Sequence, residues 1–379
     1  MTELRIPFNR ASLVGKELEA LREAVENGHI SGDGPFTRQC EELLERELGV
    51  VRALLTSSCT HALELAALVL DIGPGDEVVV PSFTFVTDAN AFALRGARVV
   101  FADVRPDTLN MDERLVDDLV GERTKAIVPT HYAGVACELD ALTASASRVG
   151  AALVEDNAHG LFAAYRGRPL GTFGALATQS FHETKNVTCG EGGAMLINDA
   201  ALVERAEIAR EKGTNRKRFF RGEVDRYTWV DLGSSYVLSD LLAAFLLVQL
   251  EAREAIQRAR EAVWRRYDEA LRPWALEHGV TLPTVPDHCE QSFHMYWALL
   301  PSLDARTRLI ATLRERGILV VFHYQPLHLS EFGRALGGRE GQCPVTEDVA
   351  DRLVRLPFFT ALTEDEQDEV IEAVLAFAP

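Results

Sequence analysis

The sequence predicts an α/β protein in which a large, mostly parallel sheet domain precedes a smaller C-terminal α+β domain. Three observations carry this reading. Short apolar runs alternate with helical stretches through the first half of the chain, the pattern of parallel strands joined by crossover helices. Several of these runs end in polar residues, where the ligands of an open parallel sheet bind. Beyond residue 200 the alternation gives way to a long basic loop, a helix and a mixture of short strands and helices. The boundary falls near residue 250, so residues 1–250 form the large domain and residues 251–379 the small one.

In chain order, residues 10–30 and 35–48 read as helices joined by the glycine-rich turn SGDGP. The apolar run Ala53–Leu55 reads as a strand, ending at Thr56-Ser57-Ser58-Cys59-Thr60 where an apolar-striped helix begins at His61. Strands follow at Val78–Val80, Ala97–Ala102, Ala126–Pro129 and Ala151–Val154, with helical stretches between most of them. The next strand, Ala175–Gln179, leads into SFHETKNVTCGEGG and then the apolar run Ala194–Ile197. A loop from Lys212 to Arg226 precedes a helix near 238–270. Strands at Tyr296–Leu300 and Ile318–Phe322 and helices at Leu303–Arg316 and Thr363–Ala376 complete the chain.

The net charge of −18 argues against a broad nucleic-acid surface, so an anionic ligand needs a local pocket. The six cysteines show neither CxxC pairs nor metal-ligand spacing, so no metal site is expected and a reducing cytoplasm is. The N-terminal MTELRIPFNR lacks the basic-then-apolar order of a signal peptide, and Leu241–Leu250 is too short to span a bilayer. The 39 basic residues include only five lysines: Lys16, Lys125, Lys185, Lys212 and Lys217. Lysine chemistry therefore has few candidates.

Collected at the strand ends are Thr56–Thr60, Phe83–Asp88, His131, Asp156 with His159, and Ser180 with Lys185. Each has an ordinary reading. The Thr56–Thr60 run could simply cap a helix, Asp156 could do the same, His159 could be a satisfied histidine, Phe85 core, and Lys185 a solvated lysine. Together they supply the parts that pyridoxal phosphate needs. A lysine forms the Schiff base with its aldehyde, and a carboxylate keeps the pyridinium nitrogen protonated. A helix start and hydroxyls hold the phosphate, and an aromatic face stacks on the ring. Gly190, Gly192 and Gly193 then let the chain turn sharply back into the sheet after Lys185.

These residues resemble the DegT/DnrJ/EryC1/StrS family of pyridoxal phosphate-dependent sugar aminotransferases. The likeness runs along nearly the whole chain, through GDEVVVPSFTFVTDANAF, GARVVFADVRPDTLNMD, TKAIVPTHYAG, VEDNAHG, SFHETKNVTCGEGGAML, SDLLAAFLLVQLE and LPFFTALTEDEQDEVIEAV. It implies the fold-type I aminotransferase fold and a homodimer with active sites at the subunit interface. By the same resemblance Lys185 matches the Schiff-base lysine and Asp156 the pyridinium partner. His159 sits where the family usually has a glutamine packed under the ring, and Phe85 matches the stacking aromatic. Ser180, with Ser58, Cys59 and Thr60, matches the phosphate site; Cys59 replaces the common glycine, so only a backbone contact follows there. Ser235 stands where many members have an asparagine that reaches the neighbour's phosphate. His182, Arg216, Arg218, His323 and Tyr324 are the expected substrate contacts.

SFHETKN, EKGTNRKRFFRGEVDRYTW and GSSY are most similar to the subgroup that aminates C4 of dTDP-4-keto-6-deoxyglucose, with L-glutamate as the implied donor. Such amino sugars serve antibiotics or surface glycans. The nearest alternative is the same machinery acting at C3 of a keto sugar nucleotide, or on a cyclitol ketone. An NAD-dependent dehydratase needs GxGxxG after the first strand, but GDGPFT (residues 32–37) follows a helix and lacks the third glycine. A non-catalytic regulator needs a DNA-binding segment, and none is evident.

Overall fold

A computed structural model describes residues 4–379. Its central sheet has seven strands: β1 (Arg52–Thr56), β2 (Glu77–Pro81), β3 (Arg98–Ala102), β4 (Thr124–Ile127), β5 (Ala152–Asp156), β6 (Leu176–Ser180) and β7 (Gly193–Ile197). Their spatial order is β1-β7-β6-β5-β4-β2-β3, and only β7 runs antiparallel to its neighbours. The sheet is mostly parallel, as the alternating pattern predicts.

Both faces of the sheet are covered, which is why its strands read as continuous apolar runs. Leu54, Met195 and Ile197 pack on one face with the helix Cys59–Val69. Ala53, Leu55, Ala194 and Leu196 face the other way, against the helices Pro35–Leu48 and Asp240–Glu251. The alternation is the period-2 geometry of a strand.

The helix expected near 238–270 is two helices, Asp240–Glu251 and Arg253–His278, which meet at Ala252. The latter packs with Leu303–Glu315 and Glu364–Leu375 in a separate core that also takes Ile6. The expected strand Ile318–Phe322 is not a strand. It is an extended segment making only single bridges, Ile318 to Ile6 and Val321 to Arg355. The apolar run reflects burial of Ile318 and Val320 rather than membership of a sheet.

The C-terminal part is tied to the sheet by capping. Asp103, just past β3, accepts hydrogen bonds from the amides of Val345 (2.9 Å) and Thr346 (2.8 Å) at the start of the helix Pro344–Arg352. His328 bonds to Ser82 past β2 at 2.6 Å. With the Leu327 amide donating to the Ser82 carbonyl at 2.9 Å, the last contact holds residues 327 and 328 at the carboxyl end of β2.

Candidate active site

Chain register brings the strand ends together. Thr56 and Ser180 both pair with Gly193, and Asp156 pairs with Thr178. At the end of β1 the chain enters its helix through Ser58, whose hydroxyl accepts the His61 amide at 3.1 Å. The first turn therefore points its free N–H groups at the crevice, with the positive end of the helix dipole behind them. Gly193 makes this close approach possible, since a Cβ there would collide with the backbone of Ser58 and Cys59. Gly190 has φ +88°, a conformation suited to glycine, and turns the lysine loop back into β7.

Lys185 is half-buried in that loop, its amide donating to the His182 carbonyl at 2.9 Å. Burial holds its ammonium below the usual lysine value, with Asp156 pulling the other way as the strongest of the nearby charges. Asp156 is 4% exposed, and its Oδ1 accepts the Ala158 amide at 2.9 Å. Burial pushes the Cys59 thiol up, so it stays neutral beside Asp156 and Lys185. Ser180 is buried at the end of β6 and its hydroxyl accepts the His182 amide at 3.4 Å.

His159 lies parallel to His294, ring centroids 4.2 Å apart at 15°. Burial pushes both rings well below the usual histidine range, so they are neutral, and Nδ1 of His159 is buried with no partner. His294 in turn bonds to Asn186 at 2.8 Å, and Asn186 donates to the Ser292 carbonyl at 2.6 Å. This pair of bonds anchors the lysine loop to the second core. Tyr132 and His323 are joined at 2.9 Å, and Tyr324 stacks on His323. Phe85 is 54% exposed, its ring 6.4 Å from that of Tyr324.

The structure thus gathers Ser58, Cys59, Thr60, Asp156, His159, Ser180 and Lys185 in one crevice, with His323, Tyr324 and Phe85 at its side. His182 belongs to the lysine loop, its ring held by Thr184 at 3.0 Å and facing Glu191. The basic segment is placed differently. Arg218 pairs with Glu204 (2.8 Å) and Glu223 (3.3 Å), Arg216 lies 3.7 Å from Glu211, and Lys217 sits between Asp33 and Glu207. Arg218 also lines a cavity of about 550 Å³ with Arg52, the first residue of β1, whereas the crevice lies past its last. Within one protomer, therefore, these arginines are not gathered with Lys185. Ser235 is exposed.

Sequence reasoning missed Asn186, His294, Tyr132, Arg355 and the special environment of Asp88. Arg355 is a half-buried cation whose charge reaches Lys185 and all three histidines. Burial lowers its pKa, and the groups that offset this are Tyr132 and Tyr324 rather than a carboxylate.

The residues fit pyridoxal phosphate. Gly193 leaves a cradle beside a helix start for the phosphate, and Thr178 Oγ1 and His159 Nδ1 are buried polar atoms with no partner in the protein. Such orphans are rare in a folded chain and mark a place for a polar ligand. Lys185 and Asp156 supply the amine and the carboxylate.

Residues 12–375 match the DegT/DnrJ/EryC1/StrS aminotransferase family. The spore coat polysaccharide biosynthesis protein SpsC of Bacillus subtilis is 32% identical over 97% of this chain and 96% of its own. The aminotransferase TlmJ from Streptoalloteichus hindustanus superimposes with a TM-score of 0.88 at 34% identity, over 99% of this chain and 98% of that one. The PMP form of the putative sugar aminotransferase Spr1654 from Streptococcus pneumoniae does so with a TM-score of 0.91 at 27% identity, over 98% of both chains. The chain belongs to the DegT/DnrJ/EryC1/StrS aminotransferase family and is a pyridoxal phosphate-dependent aminotransferase.

Proposed function

We propose that this aminotransferase moves an amino group from L-glutamate to C4 of dTDP-4-keto-6-deoxy-D-glucose. The product would be a dTDP-4-amino-4,6-dideoxy sugar for an antibiotic or a surface glycan. The observation that carries the amino-transfer chemistry is Lys185, half-buried beside Asp156 with its ammonium disfavoured by burial. The choice of C4 rests on the likeness of SFHETKN, EKGTNRKRFFRGEVDRYTW and GSSY to the subgroup that acts there.

Pyridoxal phosphate, when bound, supplies an electron sink for the bonding pair released when the Cα proton leaves. The protein does the rest. Helix-start amides with Ser58 and Ser180 hold a phosphate. Asp156 would accept the hydrogen bond of a protonated ring nitrogen, and His159 would pack against the ring. The amine of Lys185 is the general base that takes the donor's Cα proton on Nζ and the general acid that returns it, a role worth roughly 10²–10⁴-fold. A depressed lysine pKa keeps more of that amine unprotonated near neutral pH. Arg355, which has no carboxylate partner, would bind the donor's carboxylate through its guanidinium.

The ketose would enter past Phe85, with His182, His323 and Tyr324 as its contacts. We assign Arg216, Arg218 and Ser235 to the site of the neighbouring protomer in a cytoplasmic homodimer. Supporting this is an exposed apolar surface that a dimer would bury. Phe220 (69% exposed) lies on the basic segment and Trp229 (74%) just past it, and Leu232 shares a cavity of about 230 Å³ with Leu94. The test is to follow the cofactor's absorbance with L-glutamate and then with 4-keto and 3-keto nucleotide sugars. The product's amino position is then read by NMR. Turnover of the 3-keto sugar alone would refute the C4 assignment.

A further inference from the structure

Asp88 is the second residue of the helix Thr87–Ala93, and it is wholly buried. One of its oxygens is well served. Oδ2 accepts the hydroxyl of Thr130 at 2.6 Å and that of Thr84. Thr130 itself bridges to Asp156 in the sheet. The other oxygen, Oδ1, is buried with no partner. Thr130, bonded to the Asp88 carboxyl and paired with Asp156 across the sheet, brings the two acidic residues together. Two ionised carboxylates in contact, away from water, repel strongly, and one shared proton removes the conflict. A protonated oxygen also ceases to be an orphan, because it has a carboxylate to donate to.

We infer that Asp88 is a neutral carboxylic acid that donates a hydrogen bond from Oδ1 to the Asp156 carboxylate. It is a positioning residue, since it acts on the cofactor only through Asp156. A donated hydrogen bond spreads the charge of Asp156 and makes it a weaker base toward a ring nitrogen. Burial and then Asp156 raise the Asp88 pKa well above the usual carboxylate range, which agrees with the geometry. The titratable groups facing it are Asp156 at the end of β5, Cys59 at the helix start after β1, Lys185 in the loop after β6, and Tyr324 from the C-terminal part. Cys59 and Tyr324 are kept neutral by burial, so Lys185 is the cation among them.

Two measurements on the full chain test this. The first uses apoprotein and urea midpoints at pH 5 to 8. A buried acid with a raised pKa keeps its proton when folded but loses it above about pH 4 when unfolded, so it costs stability increasingly as pH rises. Asp88→Asn cannot titrate, so its midpoint should gain on wild type steadily from pH 5 to 8. A constant or narrowing difference would overturn the proton on Asp88.

The second uses the protein loaded with pyridoxal phosphate and reads the pH midpoint of the cofactor's absorbance band. Asp88→Asn keeps a donor toward Asp156 and should stay within about 0.3 unit of wild type. Asp88→Ala removes the donor, makes Asp156 more basic, and should raise the midpoint by about one unit. An ionised Asp88 predicts the opposite, a lowered midpoint in both variants, because each removes a negative charge. This inference rests on Asp156 as the pyridinium partner. A widening urea difference with an unmoved midpoint in Asp88→Ala would overturn that partnership and the tuning role, while leaving the neutral Asp88 established.

Discussion

The crevice and the basic segment 212–226 are both polar, yet they treat their charges in opposite ways. In the segment Lys212, Arg216, Lys217, Arg218 and Arg221 all have acidic neighbours, Arg218 with Glu204 and Arg221 with Glu207 and Glu223. These pairs are partly exposed and add little stability each. In the crevice Lys185 is set among neutral rings, one carboxylate and several polar atoms without partners. A dense cationic run is easy to see in a sequence, but a depressed lysine pKa and unsatisfied buried atoms point more directly to chemistry. The paired segment can still serve a diphosphate, provided a neighbouring site draws its arginines out of those pairs.

The sharpest break of this contrast is Lys185→Ala. It should slow both half-reactions by about 10²- to 10⁴-fold, read by single-turnover absorbance, because no other lysine lies in the crevice. A variant that completes both at near wild-type rate would remove the crevice from the chemistry. Next is Asp156→Asn, which should still bind the cofactor while turnover falls by about 10²-fold, since a neutral partner no longer favours a protonated ring. Unchanged turnover would leave Asp156 as a strand-end cap. Arg355→Gln should raise the KM for glutamate by about 10- to 100-fold, the usual loss for a charge-assisted hydrogen bond. An unchanged glutamate KM would place the donor's carboxylate elsewhere.

Effects in the basic segment should be smaller and confined to the ketose. Arg216→Ala and Arg218→Ala should each raise the KM for the nucleotide sugar about 5- to 20-fold and leave the glutamate half-reaction alone, as measured by separate single-turnover runs. Equal damage to both half-reactions would make the segment structural.

A final, gentler probe is pH. His159 and His294 are held neutral when folded, with pKa values well below the ordinary one. The unfolded chain binds protons there near pH 6.5 that the folded chain refuses. Stability should therefore rise as pH climbs toward about 6.5 and be lost on acidification. His159→Gln should flatten that acid limb in thermal melts; an unchanged limb would show that other groups set it.

Much of the site was legible. Lys185 stood out because lysines are scarce and this one lies between two strand-forming runs just ahead of a glycine cluster. Asp156 and the Ser58–Thr60 turn were found from their places at strand ends. Asn186 was not, although it is next to Lys185, because its value lies in reaching Ser292 and His294 far along the chain. Arg355 was hidden for the same reason, sitting in a short strand of the second core. The segment 318–322 misled because a buried extended run and a paired strand share one apolar pattern.

The sequence by itself determined the order of strands and helices, the glycine turn after β6, and the polar residues at the strand ends. Those are local properties, set by side-chain periodicity, turn chemistry and backbone freedom. Only the tertiary structure decided which charges are cancelled and which are left exposed to chemistry. Arg218 is neutralised by Glu204, while Asp88 is brought beside Asp156 through Thr130 and His159 keeps an unpaired nitrogen. Ionisation depends on burial and on the distance to other charges, and both are fixed by segments far apart in the chain.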